Sequence, residues 1–357
     1  MDEKIIPITA EEHITNFKKL SEVLNCFVQR TTSGDLPETL ILQEAVDQSV
    51  KYNGFFTRES VLYSLTAIAG MLADGKLNQW AGAYPRLAGN IKTPKKIAVV
   101  MAGNIPLVGF HDFLCVLISG NIFIGKLSQN DRFLLPAIAR ILIENDPRYR
   151  ELICFTEDKL QGFDAVIATG SNNTSRYFEY YFEKYPHIIR RHRNSLAVLS
   201  GNETPEQLHL LGGDIFNYFG MGCRNVSGLF VPPNYDFAQF VSGMHSFAGI
   251  NDHNKYRNNY DYYKTIFIIN NQPFVDGGFF ILKEDSSINS PVAVIHFQQY
   301  NSLSEVRSFI DKNKDNIQCV VGGLFDGIHT IDFGKAQSPE LWDYADNVDT
   351  MEFLYNL

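Results

Sequence analysis

Apolar residues recur every three to four positions along the first 90 residues, which is the spacing of one face of an α-helix. Two segments show the pattern most clearly, "ITAEEHITNFKKLSEVLNCF" and "TRESVLYSLTAIAGMLA". Each contains a threonine suited to cap a helix, Thr9 with Glu12 as a capping box and Thr57 as an N-cap. We therefore predict that residues 1–94 form a helical segment that packs on the domain that follows.

From Lys95 onward, short apolar runs alternate with helix-period segments. The predicted strands are "KKIAVVMAGN", "NIFIGKLS" and "AVIATGS", and the predicted helices are "LVGFHDFLCVLISG", "RFLLPAIARILIEND" and "NTSRYFEYYFEKYP". Such alternation is typical of βαβ units and a Rossmann-type parallel sheet, here over residues 95–194. Ligands bind these sheets beyond the carboxyl ends of the strands, which is where Asn104, Lys126, Gly170 and Ser171 lie.

A second α/β unit is predicted over residues 195–331. Its helix "TPEQLHLLGGDIFNYF" leads to a cysteine, and Ser302 is the expected cap of the helix "SLSEVRSFIDKN". The predicted strands are "SLAVLSG", "SGLFVPP", "KTIFIIN", "GGFFILKED", "SPVAVIHFQ" and "IQCVVGGL". Residues 332–357 are polar and aromatic, and we expect them to form an ordered tail.

Composition and charge exclude several classes of protein. The chain has 357 residues, which suits two domains, and its net charge of −9 argues against binding to nucleic acid. No apolar run approaches the roughly 18 residues of a membrane helix, and "MDEKIIPITAEEHITNF" lacks the apolar core of a signal peptide. The five cysteines are far apart, with no CxxC pair or metal-ligand spacing. We expect reduced thiols, no metal site and a cytoplasmic location.

One cysteine differs from the other four. Cys223, in "FGMGCRN", lies between an apolar helix and an apolar strand, in a glycine loop beside Arg224. Positive charge lowers the pKa of a thiol, and the thiolate is the nucleophile. The remaining cysteines lie within apolar runs, as packing residues do; they are Cys26, Cys115, Cys154 and Cys319. Taken alone, Cys223 is either a packing residue or a nucleophile.

Three further positions carry possible chemistry. The amide of Asn104 could donate a hydrogen bond to a developing oxyanion, although asparagine is also a common turn residue. Lys126 could contact a ribose or a phosphate, and a solvated lysine is the alternative. Gly170 and Ser171 open a predicted helix, and the N–H groups at a helix N-terminus attract phosphate. Each signal is weak when it stands alone.

In combination, these positions resemble the aldehyde dehydrogenase superfamily. Its pattern is an Asn after a strand, a Lys after the next strand, a Gly-Ser pair that opens a helix, and a Cys after a small-residue loop. The similar positions here are Asn104, Lys126, Gly170-Ser171 and Cys223, with spacings of 22 residues from Asn to Lys and 53 from Gly to Cys. "FGKAQSPELWDYADNVDTM" resembles one branch in particular, the fatty acyl-CoA reductases of bacterial luminescence operons. The resemblance covers about residues 95–357.

The resemblance implies an aldehyde-dehydrogenase-like fold, with an NADP-binding domain over residues 95–194 and a catalytic domain over residues 195–331. The tail over residues 332–357 would return toward the active site. Cys223 would attack an acyl-CoA thioester, and the amide of Asn104 with the N–H of Cys223 would hold the oxyanion. The positions implied for NADPH are Lys126, Ser128, Gln129, Gly170 and Ser171.

Two departures from the superfamily pattern sharpen this expectation. Hydrolytic members carry a water-activating Glu about thirty residues before the Cys, whereas the comparable stretch here, "IIRRHRNSLAVL", contains no acid. CoA, itself a thiol, would then take part in the reaction instead of water. Members that prefer NAD often place Glu three residues after the Lys, and the neutral Gln129 at that position permits NADPH. The basic stretch is a predicted contact for CoA phosphates; its residues are Arg190, Arg191, His192 and Arg193.

The sequence therefore predicts a cytoplasmic, NADPH-dependent acyl-CoA reductase that forms aldehyde through a Cys223 thioester. Three alternatives stay open: a reductase acting on acyl-phosphate or aldehyde, an acyltransferase that works through Cys223, and a non-catalytic nucleotide-binding protein. The expected partner is a small acyl-CoA molecule, with a homo-oligomer or an acyl-transferring protein as further possibilities. Neither the acyl chain length nor the pathway can be inferred from these residues.

Overall fold

The computed structural model describes residues 7–29, 37–73, 75–88 and 93–357. Parts of the predicted segment 1–94 therefore lie outside the described residues. The chain divides into two compact units, the first built from the residues up to Arg191 together with Pro339–Leu357, and the second from His192–Ser338.

Two of the four described helices that precede the first sheet, α1 and α3, are capped as the sequence predicts. They are α1 (Ala10–Gln29), α2 (Pro37–Tyr52), α3 (Arg58–Met71) and α4 (Lys76–Gly82). The N–H of Glu12 donates to Oγ1 of Thr9 at 3.2 Å, and the N–H of Thr9 donates back to Oε2 of Glu12 at 2.8 Å, so the capping box is present. Thr57 accepts from the N–H of Ser60 as the N-cap of α3.

A five-stranded parallel sheet forms the centre of the first unit. Its strands and the intervening helices are β1 (Lys96–Val100), α5 (Phe110–Ile118), β2 (Ile122–Lys126), α6 (Leu134–Asn145), α7 (Tyr149–Leu152), β3 (Ile153–Thr156), β4 (Ala165–Thr169), α8 (Asn172–Phe182) and β5 (His187–Arg190). The strand order is β3-β2-β1-β4-β5, and every pairing is parallel. The order of a Rossmann-type sheet reverses between its first and fourth strands, here β1 and β4.

Helices cover both faces of this sheet. On one face Phe17 of α1 packs edge-on against Phe110 and Phe113 of α5, with ring centroids 6.5 and 6.3 Å apart. On the other face Phe178 and Phe182 of α8 pack against the small buried side chains of β1 and β4. Because the strands are covered on both faces, they are continuous apolar runs, which is why the sequence predicts β1, β2 and β4.

The second unit is a six-stranded sheet with its own core. Its elements are β6 (Asn194–Val198), α9 (Pro205–Phe216), β7 (Val226–Val231), α10 (Phe237–Met244), α11 (Asn254–Ile269), β8 (Val275–Asp276), β9 (Ile281–Glu284), β10 (Val294–Gln299), α12 (Leu303–Lys312) and β11 (Ile317–Gly322). The order is β11-β6-β7-β10-β9-β8, and the pairings are parallel except for β8 with β9. Ser302 caps α12 as predicted.

The last described helix, α13 (Thr350–Tyr355), belongs to the first unit. The hydroxyl of Tyr344 accepts from Nε1 of Trp80 at 2.7 Å, and the hydroxyl of Tyr84 donates to Asp349 at 2.7 Å. Leu341 and Met351 are fully buried in the first unit's core. Residues 339–357 are therefore an integral part of the first unit, and residues 332–338 are part of the second.

One predicted element is wrong, and three strands were not predicted, β3, β5 and the two-residue β8. "KTIFIIN", predicted as a strand, is the last two turns of α11, whose Ile268 and Ile269 are exposed. The apolar run lies at the end of a polar helix that begins at a capping His253, so local β-propensity is overridden. The strands β3 and β5 escape prediction because they are four-residue edge strands.

Candidate active site

The two central strands of the first unit end beside each other, and a predicted site residue follows each one. Asn104 lies four residues after β1, and Gly170 and Ser171 come directly after β4. β1 and β4 are neighbours at the point where the strand order reverses, and that is where parallel α/β sheets bind their ligands. The fold therefore brings these predicted residues to one sheet edge.

A buried carboxylate, that of Asp131, holds the loop that carries Asn104. Oδ2 of Asp131 accepts from the N–H of Leu107 at 2.7 Å, and Leu107 has a φ of 62°, which is rare for a leucine. Burial raises the pKa of Asp131 to about 6, against the N–H groups of Leu107 and Leu134, which lower it. The Asn104 side chain itself is exposed.

Of the predicted cofactor residues at and after the end of β2, Ser128 contacts the Asn104 loop. A Cβ on Gly103 would lie 2.4 Å from Oγ of Ser128, so only glycine allows the two loops to approach this closely. Gln129 is exposed. The ammonium of Lys126 donates to the backbone carbonyl of Asp158 at 2.8 Å, which holds it against the loop after β3.

The helix after β4 begins in a form suited to an anion. Ser171 is its N-cap, accepting from the N–H of Thr174 at 3.3 Å, and the first turn carries no acidic residue. A Cβ on Gly170 would lie 3.0 Å from both Phe178 and Thr174. Glycine at this position therefore permits close packing of α8 on the sheet.

The basic stretch does not form one patch. Arg190 is buried, pairs with Asp112 and donates to Oγ1 of Thr350 at 3.0 Å, so it holds α5 and α13 instead of being exposed to a ligand. Arg191 is exposed and pairs with Glu179, and His192 is exposed. Arg193 donates to the carbonyl of Lys314 at 3.2 Å, after the end of α12. The expectation of an exposed Arg190 is thus corrected by its ion pair in the core.

The segment that leads to Cys223 has an unusual backbone. Tyr218 and Phe219 have φ values of 55° and 60°, in the left-handed region that side chains with a Cβ rarely adopt, and Gly220 follows with a φ of 74°. Such conformations cost of order 1–3 kcal/mol each and persist only where the surroundings enforce them. Stacking supports Phe219, whose ring centroid lies 4.4 Å from that of His253.

Asn225 is the residue that enforces this geometry. Its buried Nδ2 donates to the carbonyls of Asp214, Ile215 and Asn217, at 3.1, 3.2 and 2.8 Å. Its Oδ1 accepts from the N–H of Gly222 at 2.8 Å, and its own N–H donates to the carbonyl of Gly222 at 3.0 Å. The side chain thereby joins the end of α9 to a tight turn.

Cys223 and Arg224 occupy the two corners of that turn. The Cys223 side chain is half-buried, and its backbone carbonyl accepts from Oγ of Ser195 at 3.0 Å. The same Oγ lies 3.0 Å from Sγ of Cys319. Of the cysteines expected to be packed, Cys115 is buried, with the pKa of its thiol raised by burial, whereas Cys154 is exposed on the edge strand β3.

Two charged residues fasten the base of the Cys223 loop to residues 334–336. Nε of Arg224 donates to the carbonyl of Ala336 at 2.5 Å, so this guanidinium is hydrogen-bonded to the backbone. The two carboxylate oxygens of Asp214 accept from the N–H groups of Gly334 and Ala336, at 2.6 and 2.9 Å. Burial raises the pKa of Asp214 to about 6, against those two N–H groups, which lower it.

Two buried acidic side chains of the second unit, Asp214 and Glu203, already accept hydrogen bonds from the backbone. Both oxygens of Asp214 are used by backbone N–H groups. Glu203 follows β6 at the carboxyl edge of the sheet and accepts from Ser200 and Gly201, whereas Cys223 precedes β7 at the amino edge. Neither carboxylate is therefore placed to activate a water beside Cys223.

Several important residues were not predicted from the sequence. Asn225, Asp131 and Ser195 look like ordinary turn or strand residues, and their roles depend on partners distant in sequence. Asp214 carried a usable signal, since it is an acid within the apolar run "LHLLGGDIF". An acid in such a position is buried, and a buried carboxylate needs donors.

Part of the chain matches a known protein family. Residues 77–236 match the family described as acyl-CoA reductase (LuxC). No curated protein sequence matches the chain. No described helix has the length and apolar character needed to cross a membrane.

Among solved structures, the chain is similar to aldehyde dehydrogenase 21 from Physcomitrella patens, solved with the product succinate, at 12% identity and a TM-score of 0.61 over 98% of this chain and 89% of that chain. It is also similar to an aldehyde dehydrogenase from Bacillus cereus, solved with NAD⁺. The identity is 13% and the TM-score 0.59, over 90% of this chain and 73% of that chain. For a Mycobacterium tuberculosis aldehyde dehydrogenase, also solved with NAD⁺, the identity is 11% and the TM-score 0.57, over 91% of this chain and 82% of that chain.

The family match spans Asn104, Lys126 and Cys223, and the structural likeness extends over nearly the whole chain. The predicted fold class, an aldehyde-dehydrogenase-like α/β protein with a helical lead-in, is confirmed. Family and fold together support an enzyme that carries out acyl-CoA reduction in the general sense. Residues 77–236 are thus similar to the acyl-CoA reductase (LuxC) family, and the chain has the fold of the aldehyde dehydrogenases that it resembles.

Proposed function

We propose that the protein is an NADPH-dependent acyl-CoA reductase that forms aldehyde through a thioester on Cys223. The observation that carries this proposal is the segment over residues 218–225, where a strained backbone leads into a turn held by the Asn225 side chain and presents one half-buried thiol. A packing cysteine would not need such a backbone. Strain of this kind is concentrated at functional sites.

In the proposed reaction the Cys223 thiolate attacks the carbonyl carbon of the acyl-CoA, and the CoA thiolate leaves. The side-chain amide of Asn104 and the backbone N–H of Cys223 stabilise the oxyanion. Once the thioester carbonyl has been reduced, collapse of the resulting adduct releases aldehyde and restores the Cys223 thiolate. The overall change is acyl-CoA plus NADPH and a proton to aldehyde, CoA and NADP⁺.

The acids of the second unit support CoA over water as the acyl acceptor in the reverse direction. A thioester survives where no general base activates water, and Asp214 and Glu203 are both committed to backbone N–H groups. The predicted absence of an acid from "IIRRHRNSLAVL" agrees with this arrangement. For CoA phosphates, the exposed Arg191 and His192 remain the proposed contacts.

The residues at the edge of the first sheet fit a nicotinamide dinucleotide. α8 begins with a capped, acid-free first turn after Gly170 and Ser171, as a pyrophosphate needs. Lys126 and Ser128 end the neighbouring strand and would hold the adenosine ribose, and the exposed, neutral Gln129 would tolerate a 2′-phosphate. When bound, the cofactor supplies the hydride. We place this reaction in the cytoplasm, since no disulfide joins the five cysteines, all of which lie in described ranges.

Acyl-enzyme trapping tests the proposal. The protein is incubated with labelled acyl-CoAs of different length without NADPH, and the acylated residue is found by mass spectrometry. We expect the label on Cys223, its loss in Cys223→Ala, and its retention in Cys154→Ala, which removes an exposed thiol elsewhere. Acylation without NADPH consumption on later addition would indicate an acyltransferase, and labelling only by acyl-phosphate would indicate the other reductase class. Full activity in Cys223→Ala would refute the mechanism.

A further inference from the structure

Two irregularities in the second unit's sheet meet at one residue, the fully buried Ser195 of β6. On one side β11 places two residues, Gln318 and Cys319, opposite this single serine. On the other side the register of β6 with β7 shifts directly after Ser195. Bulges of this kind re-aim a side chain and are common beside active sites. The sheet is therefore irregular at the residue that contacts the Cys223 turn.

The hydroxyl of Ser195 joins two cysteines. It donates to the backbone carbonyl of Cys223 at 3.0 Å, and its Oγ lies 3.0 Å from Sγ of Cys319. A hydroxyl has one hydrogen, so the Cys319 thiol is the donor in the second contact. Sγ of Cys319 and the carbonyl oxygen of Cys223 each lie 3.0 Å from one atom, so they are at most 6.0 Å apart. A second thiol thus lies next to the turn that presents the first.

The two thiols are also accessible. The second unit contains two of the five cysteines, Cys223 and Cys319, and both are half-buried. A small oxidant in solution can reach a half-buried thiol, whereas Cys115 lies in the core of the first unit, where burial raises the pKa of its thiol. Oxidation of a cysteine follows its thiolate character and its exposure. Within its own unit, Cys319 is therefore the thiol available to react with an oxidised Cys223.

Resting on the proposed reactivity of Cys223, we propose that Cys319 is a resolving thiol, which forms a reversible disulfide with Cys223 when a hydroperoxide oxidises the site. In the first step the Cys223 thiolate attacks the peroxide, which takes up a proton and leaves as an alcohol, or as water from hydrogen peroxide. Cys223 is then a sulfenic acid. In the second step the Cys319 sulfur attacks that sulfur, the S–S bond forms, and the hydroxyl leaves with the thiol proton as water.

The disulfide protects the nucleophile and is easily reduced. A cysteine left as a sulfenic acid is oxidised further to a sulfinic acid, which thiol reductants do not reverse. A disulfide joins Cα atoms about 4.4–6.8 Å apart, so its formation has to displace the Ser195 hydroxyl that now bonds both residues. A disulfide formed against such contacts is strained, and strained disulfides are the labile and regulatory ones. Oxidation should therefore stop acylation of Cys223 until a thiol reductant restores it.

The test treats the full chain with hydrogen peroxide, blocks the remaining thiols with N-ethylmaleimide and maps unreduced peptides by mass spectrometry. We expect a peptide pair joined through Cys223 and Cys319, together with loss of Cys223 acylation by labelled acyl-CoA, and dithiothreitol should reverse both. Cys319→Ser keeps a hydrogen-bond donor beside Ser195 and should be acylated normally before oxidation. After peroxide it should carry sulfinic acid on Cys223, and dithiothreitol should not restore acylation. Cys154→Ser, which removes an exposed thiol of the first unit, should behave as wild type.

Two results would overturn the assignment of Cys319. One is the absence of the joined peptide pair from peroxide-treated wild-type protein, and the other is recovery of acylation in Cys319→Ser as complete as in wild type. If acyl-CoA labels Cys223 and no pair forms, the resolving role is wrong and the reductase stands. If the pair forms but no acyl-CoA labels Cys223, the proposed function fails, and the assignment of Cys319 as the partner of a reactive Cys223 stands.

Discussion

Asn104 and Cys223 are placed by two different kinds of structure. Asn104 is exposed on a loop whose position follows from strand order, since it comes after β1 at the reversal of a parallel sheet. Cys223 lies on a turn whose position follows from one side chain, Asn225, which binds three carbonyls and an N–H. The first arrangement is a property of topology, and the second is a property of a single residue.

This difference teaches which changes each region tolerates. Replacement of an exposed residue at a strand end costs little stability, so it reports mainly on chemistry. A turn held by one buried amide cannot lose that amide without a change in shape. The two regions share one feature, because each loop is fastened by a buried carboxylate, Asp131 in the first unit and Asp214 in the second.

The largest expected effect is a loss of kcat on replacement of the exposed Asn104. Asn104→Ala removes a proposed oxyanion donor, which typically costs about 3–4 kcal/mol, so kcat should fall roughly a hundred- to a thousandfold. The free energy of unfolding should stay within about 0.5 kcal/mol of wild type, because the side chain is exposed. Steady-state kinetics and urea unfolding measure the two quantities. Asn130→Ala, an exposed asparagine on the loop after β2, is the matched control and should leave both unchanged; a similar kcat loss there would sink the assignment of Asn104.

Asn225→Ala should show the opposite pattern. Loss of a buried side-chain amide that makes four hydrogen bonds with the backbone leaves orphaned carbonyls and should lower the unfolding free energy by about 3 kcal/mol. The rate of Cys223 alkylation should change as well, because the turn relaxes. Asn121→Ala removes a buried turn amide of the first unit, which bonds Lys95 and Ser119. It should cost stability but leave Cys223 alkylation unaltered, and equal effects of the two variants on alkylation would contradict a positioning role.

The two buried carboxylates, Asp131 and Asp214, make the stability of the protein depend on pH. Burial raises the pKa of Asp131 and Asp214 to about 6, above the ordinary value of 3.8. Between these values the folded protein retains protons that the unfolded chain has lost, so the protein becomes less stable as pH rises from about 4 to 6, by about 2 kcal/mol for each group. Urea unfolding across this range should show the decline. Asp214→Asn should flatten it, and an unchanged slope in that variant would contradict the assignment to this carboxylate.

The smallest expected effect is on cofactor choice. Gln129→Glu places a negative charge where the proposed 2′-phosphate of NADPH would lie, so kcat/KM for NADPH should fall about tenfold relative to NADH, an exposed charge effect of about 1.4 kcal/mol. The readout is the ratio of kcat/KM for the two cofactors. Gln298→Glu, on β10 of the second unit, is the control and should leave the ratio unchanged. An unchanged ratio in Gln129→Glu would remove the basis for NADPH preference at this position.

The sequence predicted the regular parts of both units well, because a strand covered on both faces must be a continuous apolar run. β1, β2 and β4 were found on this ground, whereas the short edge strands β3 and β5 carry too few residues to show a pattern. α11 was mistaken in part for a strand since its Ile266 to Ile269 run imitates one, while the cap and polar first turns of the helix decide the outcome.

The residues of the candidate site also differ in how far the sequence could predict them. Asn104, Gly170 and Ser171 follow from strand ends, so their common location could be predicted from the order of the elements. Arg190 could not, because its burial depends on Asp112, which lies 78 positions away in the sequence. The role of Asn225 depends on the backbone angles of residues 218–220, which no pattern of apolar and polar residues encodes.

The division of the chain into units has a consequence for its synthesis. The second unit, His192–Ser338, is one uninterrupted stretch, whereas the first needs Pro339–Leu357 to complete its core with Leu341 and Met351. On the ribosome, where domains fold as units as they emerge, the interior stretch has its full sequence before the earlier one does. The unit that begins first along the chain is thus the last to have its whole sequence.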